Sequence, residues 1–207
     1  MCIRDRTWSV KINDFDADGW LDVFLTNGVP REMNHSDIEI TQEMLAGKHM
    51  WEFFKEGEMR KEKNLAFRNE GASSTLKFKD VSHSWGLDHK GASYGCVTAD
   101  FDQDGDLDLA MMNLEENVSI YRNDGKSGNQ ITVKLEGTTS NRNGVGATVK
   151  VTAGDKNWIR QLMPGTGYHS YDEPILHFGL GNVEKICLLY TSPSPRDATL
   201  SRMPSSA

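Results

Sequence analysis

Two nine-residue stretches constrain this 207-residue chain more than anything else in it. Asp14-Phe-Asp16-Ala-Asp18-Gly19-Trp20-Leu-Asp22 and Asp100-Phe-Asp102-Gln-Asp104-Gly105-Asp106-Leu-Asp108 share the pattern D-F-D-x-D-G-x-L-D. Each runs straight into an apolar stretch, Val23-Phe-Leu25 and Leu109-Ala-Met111. Four carboxylates in so short a loop repel one another unless a hard cation sits among them. Calcium takes about six to eight oxygen ligands, and alternate positions of a tight loop turn side chains toward a common centre. Gly19 and Gly105 stand where such a loop must turn sharply, a position that favours a residue free to adopt positive φ. The pattern occurs twice, and it predicts Ca²⁺ as the bound ion.

An EF-hand opens the same way but needs a bidentate Glu at loop position 12 and a helix on each side. Position 12 is Leu25 in the first loop and Met111 in the second, and the last acid falls at position 9. The flanks read as strands, which argues against an EF-hand. The remaining alternative is a pair of solvated Asp-rich turns, which leaves the like charges uncompensated.

Composition bears on function once the ends are set apart. Residues 1–6 and 187–207 resemble translated sequencing-adapter read-through, and the second is Pro/Ser-rich with no hydrophobic period after Tyr190. The expected authentic part is residues 7–186, an internal fragment of a longer protein of the kind met in metagenomic sequence. Without the ends the net charge of −7 becomes −9, since each end carries two arginines and one aspartate. This acidic balance, with no Lys/Arg cluster, argues against a nucleic-acid partner. Of three cysteines only Cys96 lies between the ends, and its small-residue strand context predicts a buried, inert thiol. No apolar run approaches the roughly 20 residues of a membrane helix.

The chain divides on its own pattern. Residues 7–128 carry the acidic loops and short strands, whereas 129–186 alternate more regularly, in Gln130–Leu135, Ala147–Val151 and Trp158–Leu162. Gly/Asn/Ser turns, including Gly154-Asp155, separate these runs. The loops start 86 residues apart, at Asp14 and Asp100, longer than one propeller blade of about 40–50 residues. A helical insertion over residues 36–62, with Ser36 or Asp37 as N-cap and Ile40, Met44, Trp51 and Phe54 as its apolar stripe, is expected to fill the excess.

Asn64-Leu-Ala-Phe67-Arg68-Asn69-Glu-Gly71, then Phe78-Lys-Asp80-Val81 and Trp85-Gly86-Leu, resemble the blade signature of FG-GAP/VCBS-type propeller repeats. Gly91-Ala-Ser-Tyr-Gly95 leading into the second loop is similar, and Tyr121-Arg122-Asn123-Asp124-Gly125 repeats Phe67–Gly71 as an internal copy. The C-terminal part resembles a truncated ASPIC/UnbV domain of the kind found in cartilage acidic protein-like chains. The residues that carry this are Asn143-Gly144-Val-Gly146-Ala-Thr-Val, Gln161, Gly165-Thr-Gly167-Tyr168-His-Ser170 and Leu176-His177-Phe178-Gly179-Leu180-Gly181. The resemblance implies an all-β chain, with partial β-propeller blades over 7–128 followed by a small β domain over 129–186. It implies that Asp14, Asp16, Asp18 and Asp22, with the carbonyl of Trp20, ligate one calcium. Asp100, Asp102, Asp104 and Asp108, with the carbonyl of Asp106, ligate the other.

The leading function is a secreted, non-catalytic adhesion or interaction protein with structural calcium, located outside the cell, in the periplasm or at the cell surface. Its partner is then an extracellular protein or a glycan. A calcium-dependent carbohydrate-binding protein is the second reading, with Trp20, Trp51, Trp85 and Trp158 available to stack on sugars. A fragment of a propeller enzyme whose active site lies in other blades is the third. The sequence has no His-Glu-x-x-His. His177 reads as a structural histidine in a strand and His169 as a loop residue beside Tyr168, so the chain is expected not to be an enzyme.

Overall fold

Strand pairing begins where the acidic loops end, because each loop joins two antiparallel neighbours. A computed structural model describes residues 7–29, 59–71, 76–125, 128–138, 141–191 and 200–202. Among the described residues all regular structure is β. β1 (Thr7–Asn13), β2 (Asp22–Asn27), β4 (Leu65–Asn69) and β5 (Phe78–Asp80) form one antiparallel sheet in that order. β3 (Glu62–Lys63) pairs with β6 (Lys90–Gly91). β7 (Ser93–Ala99), β8 (Asp108–Asn113) and β9 (Ser119–Tyr121) form the next sheet.

The internal copy seen in the sequence is therefore a copy in space. β7 and β8 repeat β1 and β2 at an offset of 86 residues, and an irregular register between Thr7 and Val10 recurs between Ser93 and Cys96. Phe15, Phe24 and Ala66 of the first copy meet Cys96, Leu107, Leu109 and Met111 of the second in one apolar core, with Val81 and Leu87. Cys96 is buried there, and desolvation pushes its thiol up to about 12, as an inert cysteine requires.

The second unit packs two three-stranded sheets face to face. One is β13 (Ile175–Gly181), β10 (Asn129–Leu135) and β15 (Leu200–Arg202); the other is β12 (Lys156–Gln161), β11 (Thr148–Ala153) and β14 (Cys187–Thr191). β11 and β12 join through Gly154-Asp155, with Ala153 opposite Lys156 and Gly154 at φ +58°, the two-residue hairpin expected from the sequence. Val133, Leu135, Val149, Val151, Leu176 and Phe178 build a separate core. β14 and β15 lie within the segment set apart at 187–207, and both pair with strands of this unit.

The helical insertion expected over 36–62 lies outside the described residues for most of its length. Its last part is corrected: Arg60 bridges to Val29 and Glu62 opens β3, so this end is extended rather than helical.

The two units meet along β1, where the usual alternation is inverted. Ser9 and Lys11 are buried, while Val10 and Ile12 remain 40% and 57% exposed. Lys11 Nζ crosses to the second unit and donates to Thr166 O, Thr166 Oγ1 and Asp172 Oδ1 at 2.9, 2.9 and 2.7 Å. Thr98 N of β7 donates to the same Asp172 oxygen at 2.8 Å. An ammonium and a carboxylate removed from water persist only as partners, because either one alone retains its full desolvation cost. Lys11→Met should accordingly cost about 3 kcal/mol or more in chemical unfolding. The double variant Lys11→Met/Asp172→Leu should be less damaged than Lys11→Met alone; purely additive losses would show that the pair is not the contact that matters.

Candidate metal centres

The two acidic loops fold almost identically because each supplies its own acceptors to its own backbone. Position 4 takes positive φ in both, Ala17 at 56° and Gln103 at 64°, and position 6 follows with Gly19 at 98° and Gly105 at 100°. This turn aims successive N–H groups inward. Gly19 N donates to Asp14 Oδ2 and Gly105 N to Asp100 Oδ2, both at 2.9 Å. Trp20 N and Asp106 N donate to Asp18 Oδ1 and Asp104 Oδ1 at 2.8 and 3.0 Å.

The acid at position 9 ties the loop to the following strand. Asp22 accepts from Phe15 N and Asn69 N, at 3.1 and 2.8 Å, one on each carboxylate oxygen. Asp108 accepts from Phe101 N and Asn123 N at 2.9 and 2.8 Å in the same way. The second copy of the Arg-Asn pair thus has a structural purpose. Asn69, at the end of β4, and Asn123, just beyond β9, donate their side-chain amides to Leu21 O and Leu107 O, at 3.2 and 3.3 Å, and tie each loop to the strand that pairs with the one after it.

Carboxylate oxygens of Asp14, Asp16 and Asp18 lie within 4.8 Å of one another, and so do those of Asp100, Asp102 and Asp108. Of the residues expected as ligands, Asp22 and Asp104 fall outside these two trios. Trp20 is 51% exposed, with its indole over Gly71, and Asp106 is buried and accepts from Gln130 Nε2 at 2.7 Å rather than pointing to solvent. Asp14 stands apart from the rest of its loop. It is 8% exposed, and its Oδ1 is buried with no hydrogen-bond partner.

Burial first, and then the neighbouring Asp18 charge, pushes Asp14 up to about 7. Burial also raises Asp22 to about 7, against the hydrogen bonds from Asn69 and Phe15. Asp16 is raised by burial and by Asp18, against the charge of Arg68. Arg68 was not expected as a site residue. Its Nε lies 2.5 Å from Asp16 Oδ2 and its Nη2 donates to Asp18 Oδ2 at 3.1 Å. Its counterpart Arg122 pairs with Asp124 at 2.8 Å and stays 3.9 Å from Asp102. The repeated Phe/Tyr-Arg-Asn signal was visible in the sequence, but only as evidence of a repeat.

Both loops also carry the second unit. Trp158 donates its indole N–H to Gly19 O and Gly181 N donates to Ala17 O, each at 3.1 Å. A Cβ on Gly179 would come within 2.6 Å of Ala17 backbone, so glycine there lets β13 lie directly on the first loop. At the second loop, Glu173 Oε2 accepts from Asp100 N at 3.1 Å. Arg160, His177, Glu173, Ile12 and Leu162 line a cleft of about 270 Å³ between the units. His177 is a partly buried strand residue, but the hydrogen-bonded histidine expected there is not found: both ring nitrogens are buried without a hydrogen-bond partner, and Glu173 stands 3.8 Å away. Trp158 and Trp85 are occupied in packing, Trp158 as above and Trp85 against Phe15, and Trp51 lies outside the described residues.

Two outcomes follow. Asp22→Asn should lower stability by about 1–3 kcal/mol already in chelator, because it weakens an acceptor for two backbone donors. Asp14→Asn should leave stability in chelator intact and remove the first loop's share of the response to the ion; a loss in chelator equal to that of Asp22→Asn would merge the two roles. The second outcome concerns pH in the absence of metal. The folded chain keeps protons on Asp14 and Asp22 up to about 7, whereas the unfolded chain releases them near 3.8. Folding is therefore linked to proton retention across this window, and stability in chelator should fall as pH rises from 5 to 7 and level off above. A melting midpoint that climbs over that range would contradict it.

Residues 137–190 match the family model described as ASPIC and UnbV. Over 145 residues the chain is 30% identical to cartilage acidic protein 1 of Mus musculus, covering 63% of this chain and 22% of the relative. The chain thus spans about a fifth of that relative's length. The expectation of an ASPIC/UnbV-like unit is met over the matched stretch, which runs from the turn after β10 into β14.

Proposed function

We propose that this chain is part of a calcium-binding, non-catalytic interaction protein that works outside the cell, with Ca²⁺ held in the two acidic loops of propeller-type blades. The observation that carries the reading is Asp14 Oδ1, a buried oxygen with no partner, on a carboxylate that lies within 4.8 Å of those of Asp16 and Asp18. A buried anionic oxygen without a hydrogen bond is costly, and a hard cation removes that cost. Asp14, Asp16 and Asp18 would hold one ion and Asp100, Asp102 and Asp108 the other. Asp22, Asp104 and the carbonyls of Trp20 and Asp106 would complete the sets.

When bound, calcium supplies the positive charge that lets these carboxylates stay ionised at close range. The chain's own contribution is to hold the loops open: Asn69 and Asn123 fix each loop to its strand, and Trp158 and Glu173 brace it from the second unit. Affinity on the order of 10⁻⁴–10⁻³ M suits such modules and suits a calcium-rich exterior. The name of the murine relative places that protein in cartilage and calls it acidic, which favours an extracellular site of action for this chain too.

Thermal unfolding of the chain in chelator, in millimolar Ca²⁺ and in millimolar Mg²⁺ tests the reading. A rise in midpoint with Ca²⁺ alone is expected, and Asp102→Asn should reduce it while changing nothing in chelator. No shift in the folded wild-type chain would reduce both loops to acidic turns. Calcium-dependent glycan binding is a second reading, favoured by the exposed indole of Trp20 at the edge of the first loop. Binding to a glycan array that needed both Ca²⁺ and Trp20 would select it over a protein partner.

A further inference from the structure

The two loops share a backbone and differ in the cation that the protein itself brings to them. In the first, the Arg68 guanidinium lies on Asp16 and Asp18 and is 42% exposed in its side chain. In the second, Arg122 is 64% exposed, spends its closest contact on Asp124 and only approaches Asp102. The second loop also carries a fifth acid, Asp106, where the first has Trp20.

We propose that Arg68 is an internal counter-ion that competes with the metal for the first loop, so that the second loop fills first and the first fills only at higher calcium. This inference rests on the calcium reading of the same sites. Its physical basis is simple. Asp16 and Asp18 cannot give their oxygens fully to a divalent ion while the guanidinium stands 2.5 and 3.1 Å from one oxygen of each. Either the guanidinium leaves, or it stays and repels the ion at close range; both outcomes weaken the site. The unpartnered Asp14 Oδ1 marks what the guanidinium does not reach: Arg68 covers the outer two acids and leaves the buried one open. The loop therefore remains able to accept an ion, at lower affinity. Arg122 is placed too far out to act in this way on Asp102.

Calcium titration calorimetry of the whole chain at low ionic strength, on the wild type and on Arg68→Gln, Arg68→Lys and Arg122→Gln, separates the possibilities. The wild type should show two unequal steps. Arg68→Gln should tighten the weaker step roughly tenfold or more while leaving the stronger one in place. Arg68→Lys keeps the charge and should stay within a few-fold of the wild type, and Arg122→Gln should change neither step by more than about twofold. In the unaltered protein, the Arg68 Nε–Hε resonance should move as the weaker step fills, a readout that needs no variant to fold. Two steps with Arg68→Gln unchanged or weaker, or an unmoved resonance, would overturn the competition and leave the calcium reading standing. Absence of any calcium uptake by the wild type and by Arg68→Gln would sink the calcium reading itself, and this inference with it.

Discussion

Close packing of like charge is the constraint around which this structure is arranged. Each acidic loop places its carboxylates nearer to one another than water would allow at low energy, and the surrounding protein offsets part of that repulsion with backbone N–H groups. The offset is uneven. Asp22 and Asp108, the last acids of the loops, each accept two backbone hydrogen bonds and act as struts between loop and strand. Asp14 receives only one and keeps a buried oxygen unsatisfied. The same residue type therefore does two jobs within nine positions, and the difference lies in which N–H groups the fold delivers.

Docking of the second unit depends on these loops being held. Its strand β13 lies against Ala17, its Trp158 reaches Gly19, and its Glu173 reaches Asp100. Between these contacts lies the buried pair of Lys11 and Asp172, with Thr166 bonded to both. The loops thus serve as the floor of an interface as well as candidate ion sites. A loop that collapsed or splayed under its own charge would withdraw the carbonyls on which the second unit rests.

A good deal of this was legible in order along the chain. The D-F-D-x-D-G-x-L-D pattern located both turns, and the copied Arg-Asn-x-Gly segment located the strands that pair with β2 and β8. Alternation in 130–135, 147–151 and 158–162 placed three of the second unit's six described strands to within a residue or two, whereas β14 and β15 lie in the segment set apart at 187–207. Strand β1 was harder to read, because its buried side chains are Ser9 and Lys11 while Val10 and Ile12 stay exposed. The alternation rule assumes that the buried face is apolar. Here that face meets a polar network contributed by residues more than 150 positions away, and nothing local to β1 announces it.

Sequence alone determined what depends on neighbours within a few positions: the loop turns, the hairpin at Gly154-Asp155, the repeat, and the supply of carboxylates. Tertiary structure decided how those carboxylates are used. Asp22 became a strut because Asn69 arrives from a strand 47 residues away, and Asp14 stayed open because no donor arrives at its second oxygen. Arg68 lies on the first loop and Arg122 stands off the second, although both occupy the same place in the repeat. Spacing fixes which groups are close along the chain; burial and long-range hydrogen bonds fix which of them remain free to bind, and those are set only when the sheets have closed.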